Sequence, residues 1–168
     1  MNKFNYIVLS ICAVCLLTVV GCKKKPQTRE ERVAEFRAQL TQTDTTEMLR
    51  LCDNAMELLK GKKIDEVVGG LYEYNDSTQE ISPLSKEMVK ELTRKFKMFP
   101  VLEYKRSYYS FMLEGCNDVK YEVTFATAEQ AGTEEPATTM FMFNPVRIDG
   151  DWKLCVKRPT DEVDQEHL

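Results

Sequence analysis

Pro100 separates two hydrophobic periods, and that change limits the fold more than any other feature of the chain. Before it, apolar residues recur every three or four positions; from Glu103 onward they recur every second position. Amphipathic helices followed by alternating strands must bury a helix stripe against one face of a sheet. The order therefore predicts an α+β domain, with N-terminal helices packed on a curved antiparallel four-stranded meander.

Three helix starts are written in the first half. Thr28 and Glu31 are spaced as a capping box, and Val33, Phe36 and Leu40 follow at helical spacing, which predicts an amphipathic helix over Pro26 to Leu40. Asp44 and Glu47 form a second capping pair ahead of a run from Met48 to Leu59 that is apolar around most of its girth and closed by Gly61. Such a helix is largely buried, and Cys52 on it reads as core filler. Ile64, Val67, Val68 and Leu71 predict one or two further turns, and YEYNDSTQEIS after them reads as a polar loop. Ser85 is placed as the N-cap of a third helix, with Leu84 and Val89 as a hydrophobic staple and Leu92 and Phe96 on its stripe; Pro100 ends it.

The second half reads as strands. EYKRSYYSFMLEG is β-rich, and DVKYEVTFATA alternates with Val119, Tyr121, Val123 and Phe125 on one face. QAGTEEP is a longer turn, and Pro145 within ATTMFMFNPVRI implies a bulge or bend. Asp149-Gly150 is a tight-hairpin signal before DWKLCVKR.

The N-terminus carries a different message. An apolar run of about fifteen residues, Tyr6 to Val20, follows Lys3, too short to span a bilayer that wants roughly twenty, and Cys22 with three lysines follows at once. Val19-Val20-Gly21-Cys22 resembles the lipobox of bacterial lipoproteins, in which the cysteine is acylated and becomes the new N-terminus. That resemblance implies a signal peptide over 1–21 and a palmitate-type lipid on Cys22. The residue patterns divide the remainder into a tether and amphipathic helix over 22–43, the α+β domain over 44–158 and a flexible acidic tail over 159–168. Lysines after the cysteine, by the same resemblance, imply the outer membrane and its periplasmic face. An ordinary signal peptide and an uncleaved anchor are the alternatives.

The net charge is -4 with interspersed signs, which lacks the clustered basic face that nucleic acid needs. Once the signal and anchor cysteines are set aside, Cys52, Cys116 and Cys155 remain without a CxxC or Cys/His spacing, so neither a metal nor another cofactor is expected. A Cys116–Cys155 bridge is not expected either, because a simple meander holds the two beyond disulfide reach.

The closing hairpin RIDGDWKLCV, together with the element order from Asp44 to Lys157, resembles the nuclear-transport-factor-2-like superfamily of cone-shaped α+β domains. That superfamily holds isomerases, dehydratases and epoxide hydrolases beside non-catalytic binding domains, so function must come from a site. The only histidine, His167, is in the tail, and Asp65, Glu66, Glu73 and Glu122 fall at positions that read as solvent-facing; no nucleophile-elbow, zinc-protease or phosphate-loop motif is present. Binding of a small ligand or a protein partner without catalysis is the expectation. A superfamily-type enzyme acting on a small apolar molecule, and a structural envelope lipoprotein, are its alternatives.

Tyr104, Tyr108 and Tyr121 are the candidate pocket-lining residues. Tyr104 and Tyr108 are expected on one strand face with Met112, and packing at a sheet rim is the alternative role for these phenols. Met140 and Met142 are the candidate partner surface, opposite Phe141 and Phe143. They point either to a homodimer or an envelope partner, or to strand curvature that draws both sets into one core.

Overall fold

The computed structural model describes residues 27–75, 78, 80–113 and 115–156. The signal segment, Cys22 and the tail over 159–168 lie outside the described residues.

Helix α1 spans Arg29–Gln39, capped by Thr28, whose hydroxyl accepts from the Glu31 amide while the Glu31 carboxylate accepts from the Thr28 amide. Helix α2 spans Gln42–Lys60 and starts a turn earlier than the Asp44–Glu47 pair suggests. Thr41 is its N-cap and Asp44 is the third helical residue, each satisfying the other's backbone amide. Asp44 is drawn inward by a second duty: Trp152 Nε1 donates to it at 3.0 Å and the Arg147 guanidinium pairs with it. Helix α3 covers Ile64–Gly69, and helix α4 covers Lys86–Met98 behind the expected Ser85 cap.

Strands β1 (Leu71–Asn75) and β2 (Glu80–Pro83) form a hairpin where a polar loop was expected. Strands β3 (Glu103–Leu113), β4 (Cys116–Ala126), β5 (Ala137–Ile148) and β6 (Asp151–Val156) follow, with the four-residue helix α5 (Ala128–Ala131) in the long turn. The domain is thus α+β with one six-stranded mixed sheet of order β2-β1-β6-β5-β4-β3, not a four-stranded antiparallel meander. β1 runs parallel to β6, with Leu71 opposite Leu154 and Glu73 opposite Val156. The alternation of a strand buried on one face is present in β1, but Glu73 occupies one of its inward positions and disguises it. Glu73 is buried, at 8% exposure, which corrects its reading as solvent-facing; Asp65, Glu66 and Glu122 are exposed as expected.

Helix α2 lays Met48, Cys52, Ala55, Met56 and Leu59 into one core with Tyr121, Phe141, Phe143 and Trp152 of the sheet. Phe96 of α4 meets the Phe141 ring edge-on at 5.3 Å. Burying one side chain of the size of Phe143 contributes about 1.5–3 kcal/mol, so this layer holds the fold.

Pro145 produces no register shift between β5 and β6. It marks a handover instead. The β4–β5 register runs as far as Val119–Phe143, and pairing with β6 begins at Asn144. There Asn117 Nδ2 donates to the Pro145 carbonyl at 2.9 Å and the Asn117 amide donates to Asn144 Oδ1 at 2.8 Å. Buried side-chain amides do what a ladder would do beside a residue that has no N–H. Asp149 and Gly150 both have positive φ, 51° and 91°, the hairpin turn their sequence predicts.

A candidate binding groove beneath helix α1

A register shift between Arg106 and Tyr108 decides where the tyrosines go. Arg106 pairs with Tyr121 and Tyr108 with Lys120, so Ser107 is the extra residue and the pleat reverses across it. Tyr104 and Arg106 keep the inner face with Tyr121. Tyr108 turns outward beside Lys120 and is 51% exposed, which corrects its placement on one face with Tyr104.

Asp53 and Glu57 lie one turn apart on α2 and face this inner set. Tyr121 Oη donates to Asp53 at 2.6 Å, Arg106 donates to both Asp53 oxygens at 3.3 and 2.5 Å, and Tyr104 Oη donates to Glu57 at 2.6 Å. The two phenol rings meet edge-on at 5.7 Å. Burial, reinforced by the bond to Asp53, pushes the Tyr121 phenol far up; burial and Glu57 do the same for Tyr104. Both remain donors, and their donors and acceptors are turned on one another. Asp53, Glu57 and Arg106 were missed in the sequence, although the i, i+4 carboxylates beside Cys52 and Met56 signalled a polar edge to the buried stripe.

An open groove lies elsewhere. A groove of about 730 Å³ runs between α1 and the end of the sheet, with Arg29, Arg32, Glu35 and Phe36 on one wall. Tyr74, Ile81, Leu113, Gly115 and Val146 are on the other, and Arg147 stands at one side. None of Tyr104, Tyr108 or Tyr121 lines it. Asn144 Nδ2 donates to the Gly115 carbonyl at 2.9 Å, which ties the β3–β4 turn across β5. The Tyr74 ring packs so closely on Gly115 that a Cβ there would lie 2.1 Å from it, so any larger residue must displace that ring.

Three guanidinium groups against one carboxylate give the groove a cationic lining over an aliphatic and aromatic floor. Arg147 is spent on Asp44 and stacks 4.6 Å over the Trp152 ring; Glu35 accepts from Gln27 at 2.9 Å. Arg29 and Arg32 make no side-chain hydrogen bond or ion pair among the described residues. The volume is in the range of small-molecule sites.

On the outer sheet face, Met140 is 48% exposed opposite Glu122, and Met142 is half-buried opposite Lys120; Phe141 and Phe143 are buried on the inner face. The methionines are therefore not drawn into the core, and charged neighbours break up the apolar surface they make. Burial pushes the Cys155 thiol up to about 12 and the Cys52 thiol higher still, which makes both packing groups. Cys155 stands opposite Asn144 and Tyr72, whereas Cys116 pairs with Leu113 in the β3–β4 hairpin. Among the described residues no three metal-ligating side chains converge, and no helix is long and apolar enough to cross a membrane.

No protein-family model matches the chain, and no curated protein matches it in sequence. Among solved structures it is similar to an NTF2-like protein of unknown function from Shewanella oneidensis, at 11% identity and TM-score 0.41, covering 66% of this chain and 93% of that one. It is also similar to a de novo designed protein with a curved β-sheet, at 14% identity and TM-score 0.40, covering 76% of this chain and 96% of that one. At these values neither likeness carries an argument about what the chain does.

Proposed function

We propose that this chain is a lipid-anchored cell-envelope protein of the nuclear-transport-factor-2-like superfamily whose domain binds a small amphiphilic anion in the groove beneath α1, without catalysis. The observation that carries the reading is the open groove of about 730 Å³ with Arg29 and Arg32 uncommitted on its rim and Phe36, Ile81, Leu113 and Val146 beneath them. An anionic head meets the guanidinium groups while its apolar part covers the floor.

Titrating dodecanoate calorimetrically into the chain from residue 23 onward tests this. One-to-one binding is expected, weakened at least about tenfold by Arg29→Ser with Arg32→Ser, because a charge-assisted hydrogen bond contributes roughly 1.5–3 kcal/mol. Absence of binding, or binding indifferent to both substitutions, overturns it. For the anchor, Cys22→Ser is expected to abolish fatty-acid labelling and membrane retention; labelling that persists sinks the address.

One observation favours the enzymatic alternative: carboxylates do stand beside Tyr104 and Tyr121. Against it, the same side chains consume one another's hydrogen-bonding capacity and none of the three tyrosines lines the groove.

A further inference from the structure

We infer that the acidic segment over 159–168 is an intramolecular occupant of the groove, competing there with the anion proposed above. The inference rests on that groove being the binding site.

Three features of the chain converge on it. The first is position: β6 ends at Val156, which stands opposite Glu73, and the next residue of β1 is Tyr74, part of the groove wall. The chain therefore leaves the sheet beside the groove. The second is reach: Asp161 to Glu166 lie five to ten residues past Val156, up to roughly 17–35 Å of extended chain, enough to cross from Tyr74 to α1. The third is chemistry. Asp161, Glu162, Asp164 and Glu166 supply four carboxylates to a rim with Arg29 and Arg32 uncommitted, and Val163 and Leu168 supply apolar side chains to a floor of Ile81, Leu113 and Val146. A tethered segment meets its site at an effective concentration on the order of millimolar, so even weak complementarity gives substantial occupancy.

The outer sheet face offers no comparable destination. Its exposed Met140 stands beside Glu122, which repels carboxylates, and Lys120 is more distant from the exit of β6 by two strands.

A nitroxide attached at Glu166→Cys in a Cys116→Ser background of the ¹⁵N-labelled chain, diluted with unlabelled protein, tests the contact. Broadening of the Arg32, Tyr74 and Gly115 amides is expected, with loss of that broadening in Arg29→Glu with Arg32→Glu. Sharp groove amides overturn the proposal, as does broadening that scales with protein concentration, which would make a second copy the occupant. Deleting 159–168 is expected to raise dodecanoate affinity about two- to tenfold by removing a tethered competitor; unchanged affinity overturns the competition. The two readings fail separately. Groove broadening with no anion bound by any form of the chain leaves the tail in the groove and removes the ligand. Anion binding with sharp groove amides does the reverse.

Discussion

Helices α1 and α2 begin alike and are held differently. Each starts behind a threonine in a reciprocal capping box, so the local signal that stops fraying is the same. Helix α2 then buries five side chains in the sheet, whereas α1 buries none and is fastened by half-buried Phe36 and Leu40 and by Arg37 Nε donating to the Phe111 carbonyl at 3.0 Å. A cap fixes where a helix begins; burial fixes whether it can move. The open groove lies under the helix that is held lightly, and the other helix has its apolar face buried.

The contrast breaks first on packing. Phe143→Ala should cost about 3–5 kcal/mol in urea unfolding, as removal of a large core ring does, while Phe36→Ala should cost about 1 kcal/mol, since its ring is only partly withdrawn from water. Equal losses would mean that α1 is as much a part of the core as α2. Next comes the polar edge of α2. A cycle of Asp53→Ala and Tyr121→Phe should show a coupling of about 1–3 kcal/mol, because each single change strands a partner of a 2.6 Å bond. Additive losses would make that bond dispensable.

The pH dependence at Asp44 tests how α2 is tied to the last hairpin. The Thr41 backbone and hydroxyl, then Trp152 and Arg147, hold its carboxyl down from 3.8 to about 2. A depressed folded value stabilises above the unfolded one and is lost as pH falls through the folded one. The advantage of wild type over Asp44→Asn should therefore shrink by about 1–2 kcal/mol, after allowance for screening, as pH drops from about 4 to about 2. A gap constant across that range would place its whole contribution in neutral hydrogen bonding. Smallest is the fastening of α1: Arg37→Ala should cost about 1 kcal/mol and speed amide exchange in α1 about fivefold without touching α2. Acceleration in both helices would erase the distinction between them.

Much of the fold was legible because caps, glycines and prolines act within a few residues. Thr28, Ser85, Gly61, Pro100 and Asp149-Gly150 each mark an element end. Three things were not legible for the same reason. Strand β1 is defined by its parallel neighbour β6, some eighty residues further on, and its own five residues look polar. The shift at Ser107 exists only against β4, so the face of Tyr108 could not be read from β3 alone. The groove joins Arg29, Tyr74, Gly115 and Val146, which no spacing rule connects. Tyr104 and Tyr121 were recognised as a pair worth attention, but the groups that claim them are on α2.

The place of β6 in the sheet has a further consequence. The last described strand is also an interior one, flanked by β1 on one side and β5 on the other. A chain made from its N-terminus therefore carries a β1–β2 hairpin that waits, through nearly eighty residues of synthesis, for the strand it must lie beside. Long-range pairing of this kind is slow and is completed all at once. A chain interrupted before Val156 lacks a middle strand and not an edge, which leaves β1 and β5 each with one flank unpaired.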